Sequence, residues 1–181
     1  MKSKHCSIIF IFGPSGVGKS SFGGYLSNHH NWLHLEIDIP KTNDVDIHEI
    51  KHHWAEYRNG NATPLLAELN TRVKSLGRTG CVITFRSTDL LLNHELEFTQ
   101  KQGVIVTYFY GTAADCIFSF LQREESLGSQ LGLNHWLIHN QQSYLRMSLP
   151  DLSLYRINVF KPDGTRRQWD EVSRQIRSFN N

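Results

Sequence analysis

The sequence predicts an α/β fold in which helices pack on a parallel β-sheet. Short apolar runs alternate with longer segments of helical periodicity along the chain, and this alternation is typical of parallel sheets. The first apolar run, from Ser7 to Phe12, has no polar residue after its first position, as expected of a strand covered on both faces. The length of 181 residues, with 39% apolar and 20% charged residues, fits a single domain spanning residues 1–181.

The apolar runs predict five strands. The second strand alternates apolar and polar residues from Leu33 to Ile39 and stops at Pro40, because proline cannot donate a hydrogen bond to a sheet. The remaining strands are predicted at residues 81–85, 104–110 and 155–160.

Helical periodicity fills the segments between these strands. The helix after the first strand has Phe22, Tyr25 and Leu26 on one face. Two helices are predicted between the second and third strands, one after the fourth strand, and another from about residue 134 to residue 147. The apolar positions of the last helix are Trp169, Val172, Ile176 and Phe179.

Charge and cysteine content argue against several classes of protein. The net charge is +2 and the basic residues are scattered, so the sequence predicts no basic face for nucleic acid. Cys6, Cys81 and Cys116 form neither a disulfide framework nor a metal-binding pair, which favours buried thiols in a reducing compartment. The run Ile8 to Phe12 is too short for a signal peptide, and no run approaches the ~20 apolar residues of a membrane span. We therefore expect a cytoplasmic protein without a nucleic-acid or membrane partner.

The segment after the first strand is rich in glycine and matches a phosphate-binding motif. Its sequence, Gly13-Pro14-Ser15-Gly16-Val17-Gly18-Lys19-Ser20, fits the P-loop pattern G-x-x-x-x-G-K-[ST] at every fixed position. The glycines allow successive N–H groups to surround an anion, and the helix that begins near Lys19 adds its positive end. The loop therefore predicts binding of the phosphates of a nucleoside triphosphate.

The polar side chains of the loop have separate predicted roles. The Lys19 ammonium can reach the β- and γ-phosphates, and the Ser20 hydroxyl can bind Mg²⁺. ATP and Mg²⁺ are thus the predicted ligands, and Ser20 is the predicted metal ligand. The predicted nucleotide-binding residues are Gly13, Ser15, Gly16, Val17, Gly18, Lys19, Ser20 and Ser21.

Other classes of P-loop protein lack support in the remainder of the chain. The sequence has no Asn-Lys-x-Asp motif, with which GTPases read guanine. The third strand ends in Phe85-Arg86 rather than in an acidic residue, so the Walker B carboxylate of motor and transporter ATPases is missing.

These features resemble those of the small P-loop kinases, the group that holds nucleotide, shikimate and gluconate kinases. The resemblance covers essentially the whole chain and implies a three-layer fold whose five-stranded parallel sheet has the order 2-3-1-4-5. The layout is most similar to that of gluconate kinases, in the helix that begins at Pro64-Leu65-Leu66 and the basic residue after the third strand. The loop itself resembles that of guanylate kinases. The group implies ATP-dependent phosphoryl transfer to a sugar acid, a nucleoside or a nucleoside monophosphate.

The resemblance also implies roles for residues outside the loop. Asp38 would lie at the carboxyl end of the second strand, where such kinases keep an acidic residue that accepts the substrate proton or organises the metal. Arg123 lies where the lid begins, at about residues 123–133, and would act with Lys19 and Asp38 in catalysis. Arg58 in the helical insert, at about residues 41–78, and Arg86 would join Asp38 in binding the acceptor. Glu36, on the same strand, is either a helper or a polar edge residue.

Two alternatives follow from other features of the sequence. The segment His48-Glu49-Ile50-Lys51-His52 formally matches the zinc-protease pattern H-E-x-x-H, although Lys51 would place a cation beside the metal. The second alternative is a regulatory or degenerate nucleotide-binding module, which the missing Walker B acid and the lack of basic residues between Leu127 and Leu133 keep open.

Overall fold

The computed structural model describes residues 6–38, 41–42 and 45–178, and strands alternate with helices along these residues. The strands are β1 (Ser7–Phe12), β2 (Trp32–Glu36), β3 (Lys41–Thr42), β4 (Val45–Asp46), β5 (Gly80–Thr84), β6 (Ile105–Tyr110) and β7 (Arg156–Asn158). The helices are α1 (Lys19–His30), α2 (Ile47–Arg58), α3 (Thr63–Ser75), α4 (Asn93–Lys101), α5 (Ala113–Ser126), α6 (Leu133–Met147) and α7 (Trp169–Ser178). A 3-10 helix, Pro150–Tyr155, precedes β7.

Five of the strands form a parallel sheet in the order β2-β5-β1-β6-β7. Counted along the chain, this order is 2-3-1-4-5, so the predicted α/β fold and strand order are confirmed. Residues Ile8 to Phe12 of β1 are all buried, as the continuous apolar run predicts for a strand covered on both faces. No helix within the described residues is long and apolar enough to cross a bilayer.

The second strand is shorter than the sequence predicts. It ends at Glu36, which pairs with Thr84 of β5, and the backbone turns at Ile37 and Asp38. The Ile37 N–H donates to the Thr84 carbonyl over 3.0 Å, so the buried side chain of Ile37 continues the apolar alternation although the strand has ended. Asp38 therefore lies in an exposed turn, while the predicted end of the strand at Ile39 and Pro40 falls outside the described residues, as does Phe179.

The segment between β2 and β5 contains the two predicted helices, α2 and α3. Their buried positions are those of the predicted apolar faces, namely Ile47, Ile50, Trp54, Tyr57, Leu65, Leu69 and Val73. A short antiparallel hairpin of β3 and β4, which the sequence analysis missed, precedes α2.

The chain divides into two compact units. The first comprises the described residues up to Phe10, Ser20–Phe85 and Leu91–Val106, and the second comprises Ile11–Lys19, Arg86–Leu90 and the residues from Thr107 onward.

An aromatic cluster fills the core of the first unit. Phe10 of β1 contacts the rings of Trp54 and Tyr57 of α2, each with ring centroids 5.6 Å apart, and that of Phe85 at 5.3 Å. These rings meet edge to face, an arrangement that adds to the energy of apolar burial. The cluster fixes α2 against β1 and against the residue that follows β5.

Helix α1 lies close to β2 at a glycine. A Cβ atom added at Gly23 would lie 2.3 Å from Nε2 of His34, whereas one added at Gly24 would meet no atom within 4 Å. His34 is buried, and its Nε2 lies 3.2 Å from the Thr84 hydroxyl. Burial lowers the pKa of His34 to about 4, because the protonated ring would lose its hydration.

The contact predicts opposite effects of alanine at two neighbouring helical glycines. Gly23→Ala should destabilise the protein by about 1–3 kcal/mol, because the added methyl group collides with a buried ring. Gly24→Ala is the matched control and should stabilise it by about 0.5–1 kcal/mol, since alanine restricts the unfolded chain and clashes with nothing. Urea unfolding of both variants measures the difference. Equal effects at the two positions would contradict the close packing of α1 on His34.

The buried neutral ring of His34 predicts a loss of stability in mild acid. The folded-state pKa of about 4 lies below the ordinary value of 6.5, so the unfolded chain binds a proton first. The contribution of the neutral His34 ring to the free energy of unfolding is therefore complete above pH ~6.5. It is lost as the pH falls towards ~4, which changes the free energy of unfolding by on the order of 3 kcal/mol. Urea unfolding between pH 4 and 7 should show a shallower dependence in His34→Gln than in the wild type. The same slope in His34→Gln and in the wild type would contradict a buried ring that remains neutral in mild acid.

Candidate phosphate-binding site

The backbone of the P-loop adopts conformations that require glycine. Gly16 and Gly18 both have φ of +88°, in the left-handed region that other residues rarely adopt. A Cβ atom at Gly16 would lie 2.2 Å from the Cys116 carbonyl oxygen, and one at Gly18 would lie 1.9 Å from Nη1 of Arg166. Both glycines are therefore needed for the conformation of the loop and for its close contact with neighbouring groups.

Lys19 begins α1 and returns over the loop that precedes it. Its Nζ donates to the Gly13 carbonyl over 2.8 Å and to the Pro14 carbonyl over 3.1 Å. The ammonium therefore lies against the start of the loop, beside the positive end of α1. Ser21 follows in the first turn of α1, so the predicted nucleotide-binding residues form one continuous turn from strand to helix.

The last residue of the motif is tied to β2. The Ser20 hydroxyl donates to Oε2 of Glu36 over 2.9 Å. Hydroxyl and carboxylate oxygens are ligands that Mg²⁺ prefers, so this pair fits the metal that the P-loop predicts. Ser20 follows Lys19 and is the last residue of the motif, so its hydrogen bond connects Glu36 to the end of the phosphate loop. The contact places the Glu36 carboxylate beside the hydroxyl of Ser20.

Helix α6 holds both polar groups of one loop peptide. The Trp136 Nε1–H donates to the Ser15 carbonyl over 3.0 Å, and the Ser15 N–H donates to Oδ1 of Asn140 over 2.6 Å. The Asn140 side chain in turn donates to the Trp136 carbonyl over 3.0 Å. Trp136 and Asn140 are only 2% and 1% exposed, so these hydrogen bonds are shielded from water and hold the loop in one position.

Arg166, in the turn between β7 and α7, lies against the same loop. Its Nη1 donates to the Val17 carbonyl over 2.8 Å, and its Nη2 donates to the Gly16 carbonyl over 3.0 Å and to the Ser119 hydroxyl over 3.2 Å. The guanidinium carbon also lies 5.1 Å from the centre of the Phe160 ring and 5.5 Å from that of Trp169. Burial lowers the pKa of Arg166, but an arginine remains protonated in proteins.

A buried thiol packs beneath the loop. Burial raises the pKa of Cys116 to about 12 and Asp115 adds to this, whereas the cations Lys19 and Arg166 oppose it. The thiol is therefore protonated and acts as a small packing group. Cys81 is also buried and Cys6 half-buried, in line with the predicted free thiols.

Arg58, predicted to bind the acceptor, is engaged in a structural ion pair. Its Nε donates to Oε1 of Glu95 over 2.6 Å and its Nη2 donates to Oε2 over 3.1 Å. Burial raises the pKa of Glu95, but the hydrogen bonds from Arg58 and the Leu92 backbone outweigh it and leave the pKa below its ordinary value. Glu95 thereby caps the start of α4 as an anion, and Arg58 holds it there.

The other two predicted arginines are more exposed and also have acidic neighbours. Arg86 follows β5 and pairs with Asp89 over 3.0 Å, with 59% of its side chain exposed. Arg123, near the end of α5, donates from Nε to Glu124 over 2.9 Å and lies 5.3 Å from the centre of the Phe120 ring. Its side chain is 53% exposed, so both guanidinium groups are accessible to solvent.

The polar residues of the H-E-x-x-H segment lie on the exposed face of α2. His48 and His52 are exposed, and His52 pairs with Glu56 over 3.3 Å. Glu49 pairs with His53 over 3.8 Å and with Arg72 over 3.2 Å. Among the residues that the structure describes, no group of three or more His, Cys, Asp or Glu side chains could hold a metal ion.

Sequence analysis missed Trp136, Asn140 and Arg166, which contact the loop from distant parts of the chain. One signal was present for the first two, since Trp136 and Asn140 share a helix face with Ser143 and Met147. Polar side chains such as Asn140 on an otherwise apolar helix face indicate that they have specific hydrogen-bond partners. Arg166 carried no comparable signal.

Comparisons with known proteins agree with this fold. No family model matches the chain, and no curated protein matches it. A gluconokinase from Sinorhizobium meliloti 1021 is similar in structure, with a TM-score of 0.50 and 13% identity over 97% of this chain and 91% of that chain. A shikimate kinase from Acinetobacter baumannii, solved in complex with shikimate, has a TM-score of 0.47 and 20% identity over 96% of this chain and 94% of that chain.

At this level of identity the likeness to the gluconokinase shows the fold alone. The chain has the fold of the P-loop kinase group, and the predicted resemblance to that group is confirmed to this extent.

The Arg58–Glu95 pair predicts that Arg58 contributes chiefly to stability. Arg58→Met should destabilise the protein by about 2 kcal/mol, because it leaves a nearly buried carboxylate without its cation. Arg86→Met is the control and should cost less than ~1 kcal/mol, since that pair is largely exposed. Thermal or urea unfolding of both variants provides the comparison. A stable Arg58→Met protein would restore Arg58 as a candidate for binding the acceptor.

Proposed function

We propose that the protein is a kinase that transfers the γ-phosphoryl group of ATP to a small metabolite. The acceptor would be a sugar acid, a nucleoside or a nucleoside monophosphate. The observation that carries the proposal is the hydrogen bond from Ser20 to Glu36, which joins a complete P-loop to a carboxylate at the end of β2. A carboxylate beside the hydroxyl of the motif can help to organise the metal that phosphoryl transfer requires.

The loop would hold the triphosphate, and Lys19 would contact its β- and γ-phosphates. The backbone N–H groups and the start of α1 supply further positive potential at the same point. Ser20, supported by Glu36, would hold Mg²⁺, which when bound neutralises charge on the phosphates.

Asp38 would serve the acceptor side of the reaction. The acceptor oxygen forms a bond to the γ-phosphorus, the bond from that phosphorus to the bridging oxygen of ADP breaks, and the acceptor proton passes to Asp38. The exposed position of Asp38 beyond the end of β2 supports this role, because a carboxylate in the turn can meet a substrate from solvent. Asp38 and Glu36 would thus act separately, one on the acceptor and the other on the metal.

Arginines would stabilise the charge on the transferred group. We assign this role to Arg123, because more than half of its side chain is exposed and Glu124 holds it at the start of the lid. Arg86 is the better candidate for contact with the acceptor, since Arg58 is committed to Glu95.

A nucleotide-binding module without acceptor turnover is the second candidate. Two observations favour it. Phe85, the residue after β5, is buried and apolar where motor and transporter ATPases carry an acidic residue. The segment between α5 and α6, residues 127–132, contains no basic side chain to close over the phosphates.

Consumption of ATP in the presence of candidate acceptors distinguishes the two functions. Wild-type protein is incubated with ATP and Mg²⁺, with and without sugar acids, nucleosides and nucleoside monophosphates, and release of ADP is measured. The kinase releases ADP in proportion to one class of acceptor. Tight ATP binding without acceptor-dependent ADP on any member of the panel would establish the module instead.

The two carboxylates are tested on the active acceptor. Asp38→Asn should lower kcat by about 10² or more while ATP affinity stays within about twofold of the wild type. Glu36→Gln should raise the Mg²⁺ concentration needed for half-maximal activity by about 10-fold. Glu97→Gln, which alters an exposed carboxylate on α4, is the control and should change neither. A kcat of Asp38→Asn equal to that of the wild type would contradict the assignment of Asp38 as the proton acceptor.

A further inference from the structure

Three successive carbonyl groups of the P-loop are each held by a donor from a distant part of the chain. The Ser15 carbonyl accepts from Nε1 of Trp136 over 3.0 Å. The next two, those of Gly16 and Val17, accept from Nη2 and Nη1 of Arg166 over 3.0 Å and 2.8 Å. Trp136 and Arg166 thus direct N–H donors at three successive carbonyl oxygens of the loop.

These contacts fix the direction of three amide N–H groups. In a trans peptide unit the C=O and the following N–H lie in one plane and point in opposite directions. The described residues contain no cis peptide bond. Because the carbonyls of residues 15, 16 and 17 face Trp136 and Arg166, the amides of Gly16, Val17 and Gly18 point to the opposite side of the loop. Amides of a P-loop that converge in this way bind phosphate oxygens.

We infer that Arg166 and Trp136 are positioning residues, which aim three consecutive loop amides at the phosphate chain from the opposite side of the loop. The inference rests on the phosphate-binding part of the proposed function and does not depend on the acceptor. Neither side chain needs to touch the nucleotide. Their effect on phosphate affinity passes through the peptide units that they hold.

Arginine suits this role for a geometric reason. The planar guanidinium presents parallel N–H groups on two nitrogen atoms in a fixed geometry, so Nη1 and Nη2 can each bond one of two neighbouring carbonyls. The rings of Phe160 and Trp169 and the Ser119 hydroxyl hold the guanidinium in place. A charged donor on a carbonyl also polarises that peptide, which strengthens its N–H as a donor to an anion. The close approach of Arg166 to the loop explains why residue 18 is glycine.

Binding of inorganic tripolyphosphate, measured by calorimetry, tests the inference without an acceptor. Arg166→Met should lower the affinity for tripolyphosphate and for ATP by about tenfold or more, because two peptide units lose the hydrogen bonds that orient them. Arg166→Lys retains the positive charge but lacks the parallel N–H groups of the guanidinium, so it should recover only part of the lost affinity. The matched control is Arg167→Met, which removes the same charge one residue away, where Nε contacts the Phe160 carbonyl at 3.4 Å. It should bind tripolyphosphate within about twofold of the wild type.

Amide chemical shifts provide a readout that a general loss of stability would not imitate. In Arg166→Met the largest changes of ¹H and ¹⁵N shift should fall on Val17 and Gly18, whereas Arg167→Met should leave both unchanged. If Arg166→Met does not fold, Trp136→Phe keeps an aromatic ring but removes the Nε1–H donor. It should shift the Gly16 amide resonances and weaken the binding of tripolyphosphate about threefold.

Two results overturn the inference. The first is wild-type affinity for tripolyphosphate in both Arg166→Met and Trp136→Phe. The second is an equal loss in Arg166→Met and Arg167→Met, which would mean that only overall charge matters. Either result leaves the proposed kinase intact. Conversely, a wild-type protein that binds tripolyphosphate but phosphorylates no acceptor refutes the kinase, while the expected variant effects still support the inference.

Discussion

The absence of side chains at Gly16 and Gly18 is the constraint on which the candidate site depends. At Gly16 the loop backbone passes so close to α5 that a Cβ atom would lie 2.2 Å from the Cys116 carbonyl. At Gly18 it passes equally close to the Arg166 guanidinium. The loop therefore passes between a helix and a cation, and the left-handed backbone at both glycines lets successive N–H groups turn towards one another. The conformation of the candidate phosphate-binding loop therefore depends on the groups that pack against it, namely α5 and the Arg166 guanidinium.

The end of β2 gives two nearby carboxylates different surroundings. Glu36 is the last strand residue and accepts a hydrogen bond from Ser20, so its position is set by the sheet. Asp38, two residues later, lies in an exposed turn. The turn begins where the Ile37 N–H bonds the Thr84 carbonyl, and this contact separates the two environments. A single backbone hydrogen bond thus separates a residue that is hydrogen-bonded to Ser20 from a residue that is open to solvent.

The parts of this structure that sequence could predict are those with local causes. The apolar run of β1, the glycines of the loop and the helix beginning at Lys19 are contiguous, and the strand order follows the resemblance that they suggest. The early end of β2 was missed because apolar alternation continues through Ile37 after the backbone has turned. The contacts of Trp136 and Arg166 with the loop span 121 and 149 residues of chain, and no periodicity or motif records a pairing at such a distance.

The same contacts also explain how the loop keeps its shape. Amide groups that converge on one point repel one another, and donors bound to the carbonyl groups of the loop offset this repulsion. In this loop Lys19 covers the Gly13 and Pro14 carbonyls, and Trp136 and Arg166 cover the next three. Five consecutive carbonyls therefore have cationic or N–H donors as partners. Because these bonds are made within the protein, they order the loop without a contribution from any ligand, and a loop ordered in this way loses little conformational freedom on binding.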